Sequence, residues 1–142
     1  NFKKEVEIYY PCHPNPFIKK FMINSLGLGN ISNFHVIKPL RYDKFITLLS
    51  FSSLILTDSG GIQEEASYLG KPVFILRNFT ERREIIDHNI GKIIGTNKNK
   101  IINEVTEFLS SKSFKVKRKI LYGKGNASKK IKKEILKFLM KK

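Results

Sequence analysis

One segment constrains this chain more than any other: Leu54-Ile55-Leu56-Thr57-Asp58-Ser59-Gly60-Gly61-Ile62-Gln63-Glu64-Glu65-Ala66. It passes from a continuous apolar run, through a turn holding two glycines, into a helical pattern. An unbroken apolar run of strand length fits a strand buried on both faces, as in a parallel sheet covered by helices. A strand that turns directly into a helix begins the crossover that such sheets require.

The rest of the chain repeats that alternation. Val6-Glu7-Ile8-Tyr9-Tyr10 predicts a short strand stopped by Pro11. Asn15-Pro16 sets a cap and a first-turn proline, so a helix is expected over 17–26, ended by Gly27 and Gly29. Phe34-His35-Val36-Ile37 predicts a second strand, and a helix follows over 42–51 with Phe45, Leu48 and Leu49 on one face. Beyond the central segment, a helix over 62–69 is ended by Gly70, and Pro72-Val73-Phe74-Ile75-Leu76 predicts a buried strand. A short helix to about 89, a strand at Lys92-Ile93-Ile94, a helix over 98–109 and an amphipathic helix over 127–140 complete the pattern.

Five strands alternating with helices predict an α/β fold: one open parallel sheet with right-handed crossovers and helices on both faces. Ligands of such sheets bind beyond the carboxyl ends of the strands. Segments 11–16, 57–65 and 77–83 all follow strands, and are expected on that rim.

Composition excludes several alternatives. A chain of 142 residues with 41% hydrophobic side chains is one folded domain rather than a disordered segment. The longest uncharged run, 21–37, has 17 residues and is interrupted by Asn, Ser, Gly and His, and the more apolar run 45–57 has 13. A membrane span needs about 18. The single cysteine, Cys12, is expected to be buried, and neither a disulfide nor a metal site is expected. The start Asn-Phe-Lys-Lys-Glu-Val-Glu has no initiator Met and no apolar leader, so the chain reads as a piece of something longer. The net charge of +15 first suggests nucleic acid, but residues 98–142 alone hold 15 basic and 3 acidic side chains. Those bases are almost all Lys, and Arg, the usual reader of bases and phosphates, occurs five times in the chain. Neither a nucleic-acid nor a membrane partner is expected.

The Ser59-Gly60-Gly61 turn offers backbone N–H groups beside the positive end of a helix dipole, with the Ser59 hydroxyl as a further donor. An anion site, phosphate above all, and a plain helix cap both fit that pattern. Glu64 suits dipole complementation, whereas Glu65, about 100° further round the helix, could accept from ribose hydroxyls. His13, held between strand and helix in Cys12-His13-Pro14-Asn15-Pro16, is either a phosphate donor and proton relay or a surface loop residue. Arg77 and Arg82 bracket the 78–81 loop as candidate phosphate contacts or solvated side chains. Phe45 is a base-stacking or a core residue. His35 and His88 carry no functional assignment.

At these residues the sequence resembles a known family. His13-Pro14-Asn15-Pro16, the 57–66 segment, Gly70-Lys71-Pro72-Val73, Leu76-Arg77, Thr80-Glu81-Arg82, Gly95-Thr96 and the Tyr122-Gly123-Lys124-Gly125-Asn126-Ala127-Ser128 motif occur in the order of the non-hydrolysing UDP-N-acetylglucosamine 2-epimerases. The resemblance covers nearly all of 1–142 and implies a Rossmann-like domain, the C-terminal half of a GT-B fold, with the N-terminal domain absent from this chain. It implies interconversion of UDP-GlcNAc and UDP-ManNAc by elimination and re-addition of UDP, without metal or redox cofactor. It assigns UDP to Ser59, Gly60, Gly61, Glu65, Arg82 and Phe45, with His13 as a catalytic group. It also implies a cytoplasmic homodimer in bacterial surface-polysaccharide synthesis. The chain departs from the family at Arg83, where many members have proline, and at Ser67-Tyr68-Leu69. The alternative is a nucleotide-sugar domain of a GT-B glycosyltransferase, which shares the glycine turn and the ribose-binding Glu.

Overall fold

The computed structural model describes residues 6–25, 27, 31–111 and 116–140. Two compact units divide the chain, Asn1–Ile46 and Thr47–Lys142.

The first unit is built on two parallel strands. β1 (Ile8–Pro11) pairs with β2 (Phe34–Ile37), Ile8 opposite Phe34 and Pro11 opposite Ile37. Pro11 ends the strand from inside it: the next donor, the Cys12 N–H, reaches the Ile37 carbonyl at 3.0 Å. Helix α1 (Pro16–Lys20) starts as expected, with the Asn15 side chain accepting from the Phe17 N–H at 2.9 Å. It then widens into a π-helical turn, Phe21–Ser25, where an unbroken α-helix was expected. Leu26 and Gly29, expected at its end, lie outside the described residues. Helix α2 (Tyr42–Phe51) has the expected bounds and runs across the division between the units.

The second unit holds β3 (Ile55–Thr57), β4 (Val73–Ile75) and β5 (Gly91–Ile93), paired in parallel in that order. The expected single five-stranded ladder is thus corrected to a two-stranded and a three-stranded one. β3 and β4 are shorter than the apolar runs that announce them, so each has few ladder bonds to give. β4 lies between two partners and is buried throughout, whereas Leu56 on edge strand β3 is 43% exposed, against the expectation of burial on both faces.

Helices cover both faces of the three-stranded sheet. Helix α4 (Arg83–Asp87) places Ile85 over the face of Val73 and Gly91, so tightly that a Cβ on Gly91 would lie 2.5 Å from Ile85 Cγ2. On the opposite face Phe74 meets Phe108 of helix α5 (Lys98–Ser111) edge to face, ring centroids 5.8 Å apart. Val73, Ile75, Ile85, Ile90, Ile94 and Ala66 of helix α3 (Gly60–Leu69) have no exposed surface and form the core. The last helix, α6 (Ala127–Leu139), is exposed on all sides, including Ile131, Ile135, Phe138 and Leu139. Among the described residues no helix is long and apolar enough to cross a membrane.

Helix α3 positions the site and is fixed at both ends. Ser59 caps its start, and Gly70 ends it in the left-handed conformation at φ 68°. A side chain at Gly70 would also strike the Arg118 backbone, 2.8 Å away. The Ser67 hydroxyl donates to the Lys119 carbonyl at 2.8 Å, and the Arg118 guanidinium lies 4.2 Å from the Tyr68 ring centre. These contacts hold segment 116–126 along the helix and carry Tyr122 toward α4.

Candidate functional site

Two of the three strand-following segments, 57–65 and 77–83, meet at the start of α3 in the second unit. The β3-to-α3 turn departs from expectation in one detail. The Ser59 N–H donates to Thr57 Oγ1 at 3.0 Å and is not available to a ligand. Thr57 is the last residue of β3 and its hydroxyl folds back over the turn, satisfying that donor locally. The backbone donors of the turn are therefore those of Gly60 and Gly61. The Ser59 hydroxyl makes no cap bond with the helix, and its oxygen lies 3.9 Å from where a Cβ on Gly61 would sit. Hydroxyl and glycine N–H groups share one end of α3, where the helix dipole favours negative charge.

The 77–83 loop is tied to that helix. The Thr80 hydroxyl donates to Gln63 Oε1 at 2.6 Å, a buried bond, and accepts from the Arg82 N–H at 3.1 Å. The Gln63 side-chain NH2 is buried without a partner in the structure. Arg82 then extends over α3. Its Nε donates to Glu64 Oε1 at 2.5 Å, and Nη1 lies 3.5 Å from Glu81 Oε1. Its Nη2 lies 3.6 Å from the position a Cβ would take on Gly60, and Glu81 Oε1 2.9 Å from it. The loop lies this close because residue 60 has no side chain.

Charges alternate around the site. Glu81 bridges Arg77, through Nη1 at 3.2 Å, and Arg82. Its own backbone N–H and the two guanidinium groups hold its carboxyl below the usual range. The bond to Glu64 keeps Arg82 still more firmly protonated than a free arginine. Tyr122 donates to Glu84 Oε2 at 3.4 Å, and burial followed by the Glu84 charge pushes its phenol up to about 12. At the carboxyl ends of β4 and β5 a depression of about 460 Å³ opens beside the loop, lined by Arg77, Asn78, Gly95, Thr96 and Asn97 among others.

Glu65 is half-buried on α3 and Phe45 half-buried on α2. His13 belongs to the first unit. Its ring Nδ1 accepts from the Asn15 N–H at 3.2 Å, which in the neutral ring leaves the proton on Nε2 as an outward donor. Cys12 is buried, as expected. His35 pairs with Glu7 and stacks on Tyr9, and His88 caps the end of α4. Glu64, read from sequence as dipole complementation, instead has a specific partner in Arg82. Gln63, Thr80 and Glu81 had no individual assignment, and Tyr122 appeared only inside a motif.

The family model described as UDP-N-acetylglucosamine 2-epimerase matches residues 1–136. The chain belongs to that family. A UDP-N-acetylglucosamine 2-epimerase of Campylobacter jejuni is 42% identical over 130 residues, which are 89% of this chain and 33% of the relative. The Neisseria meningitidis UDP-GlcNAc 2-epimerase bound to UDP-GlcNAc superposes with a TM-score of 0.83 at 39% identity, over 92% of this chain and 36% of that one. An S. aureus MnaA–UDP structure superposes with a TM-score of 0.85 at 35% identity, over 94% and 36%. The Rossmann-like fold is thus shared with structures solved with UDP-GlcNAc or UDP. The chain spans about a third of the length of these relatives.

Proposed function

We propose that residues 1–142 are the UDP-binding, C-terminal domain of a GT-B enzyme that interconverts UDP-GlcNAc and UDP-ManNAc. The observation that carries this is the turn at Gly60 and Gly61, with free backbone donors, the Ser59 hydroxyl and the Arg82 guanidinium at the start of one helix. The relatives solved with UDP-GlcNAc and UDP support nucleotide sugar as the ligand.

In this proposal the C1–O bond of the sugar breaks and its electron pair leaves on the β-phosphate of UDP. The C2 proton is lost, and a C1–C2 double bond forms. Re-addition reverses both changes, with the proton returned to the other face of C2. Negative charge grows on the leaving phosphate, so fixed donors there lower the barrier. The Gly60 and Gly61 N–H groups, the Ser59 hydroxyl, Arg82 and the Nε2–H of His13 are those donors. Glu65 holds the ribose hydroxyls and Phe45 lies against the uracil. The groups that exchange the C2 proton belong to the part of the family's length outside this chain, so the chain alone is catalytically silent. The whole enzyme works as a cytoplasmic homodimer and binds neither nucleic acid nor membrane.

The test is an assay of the full-length protein with UDP-GlcNAc alone in deuterated water. Formation of UDP-ManNAc carrying deuterium at C2 is expected. Sugar transfer that needs an added acceptor, with no epimerisation, would replace this proposal with the glycosyltransferase alternative.

A further inference from the structure

We propose that Glu64 is a positioning residue, which sets the plane of the Arg82 guanidinium so that its Nη edge faces a diphosphate at the start of α3. This rests on the UDP-binding proposal above.

Arg82 reaches the helix from a loop whose backbone is already fixed. The Gln63–Thr80 bond and the Thr80–Arg82 N–H bond anchor its main chain. Its side chain still has four rotatable bonds, and an arginine that must find its pose on binding loses that freedom at the expense of affinity. The Glu64 carboxylate takes the Nε–H, the donor on the stem side of the guanidinium. With Nε held by Glu64 and Nη1 3.5 Å from Glu81 Oε1, the planar fork is fixed in orientation, and Nη2 is the nitrogen left beside Gly60. Glu64 and Arg82 are each about one-third exposed, so the pair is partly shielded from water. Glu65, the next residue on the helix, diverges by about 100° and cannot reach the same nitrogen.

Charge alone predicts the opposite effect. A carboxylate one turn into α3 repels an arriving diphosphate and partly neutralises Arg82, so removing it should tighten binding. If Glu64 acts by positioning, removing it weakens binding. The sign of the change therefore separates the two.

UDP is titrated calorimetrically into the full-length protein, with melting temperatures recorded alongside. Glu64→Ala is expected to weaken UDP binding about five- to tenfold. Glu64→Gln, which keeps an acceptor without a charge, should recover most of that loss. In an Arg82→Lys background, Glu64→Ala should add almost nothing, because the group it orients is gone. Unchanged or tighter binding by Glu64→Ala would overturn the proposal. So would an equal loss in the Arg82→Lys background, since Glu64 would then act without Arg82. Wild-type protein that binds no UDP would instead sink the UDP-binding proposal itself, and this one with it.

Discussion

Tyr122 shows what single residues at the site owe to distant partners. Its phenol sits against the Glu84 carboxylate, with Glu64 nearby, and burial plus those negative charges hold its proton on to about pH 12 against an ordinary value of 10.0. A folded-state pKa raised above the unfolded one contributes stability that is whole below the unfolded value and lost as pH rises through the folded one. Stability should therefore decline between about pH 10 and 12, and Tyr122→Phe should flatten that decline. The phenolate absorbance of wild type minus Tyr122→Phe should show a step centred near 12; a step near 10 would contradict the proposed environment. None of this was legible in the sequence, because Tyr122 and Glu84 stand 38 positions apart. The same holds for Thr80 and Gln63, 17 apart, and for Arg82 and Glu64, 18 apart. What the sequence did expose at this scale was local chemistry: a Ser-Gly-Gly turn at a helix start, and Asn15 before Pro16. It overcounted the turn's donors because Thr57 takes the Ser59 N–H, a choice that follows from the rotamer of one hydroxyl.

At the level of elements, periodicity located nearly every helix and strand to within a residue or two. The bounds of α2 and β2 were matched outright. Those patterns are carried by consecutive residues, so no long-range partner is needed to read them. The misses depend on neighbours. Leu56 belongs to an apolar run but lies exposed on an edge strand. Nor does apolar spacing distinguish the π-helical turn Phe21–Ser25 from a continuous α-helix. Gly91 gives a sharper case, since a glycine opening a strand ordinarily signals only weak pairing. Here α4 crosses so close that no side chain fits between Ile85 and Val73. Gly91→Ala should cost about 1–3 kcal/mol in urea unfolding, by overpacking. Ile85→Ala in the same chain should remove the clash, so the double variant should be more stable than the sum of the two losses predicts. Simple additivity would mean that α4 yields without strain.

For the whole molecule, the net charge of +15 is a poor guide to where an anion binds. Most of the excess lies on Lys side chains after residue 97, and α6 alone carries Lys129, Lys130, Lys132, Lys133 and Lys137 on an exposed helix. Exposed, flexible ammonium groups act on a ligand mainly through a field that salt screens beyond about 10 Å at 0.1 M. Arg82 is different: it is fixed at Nε, stands beside a glycine, and shares its place with the α3 dipole. Local geometry rather than total charge should therefore set affinity for UDP. Replacing Lys129, Lys130, Lys132 and Lys133 together by Gln removes four positive charges, yet at 0.15 M salt it should alter UDP affinity less than about twofold. Arg82→Lys leaves the net charge untouched and should weaken UDP about tenfold, because an ammonium cannot both hold Glu64 and present a planar fork to phosphate. The two variants are compared by titration of the full-length protein at low and at physiological salt. An affinity that followed net charge, falling with the lysines and surviving Arg82→Lys, would move the anion site away from α3 and back to the basic C-terminal third.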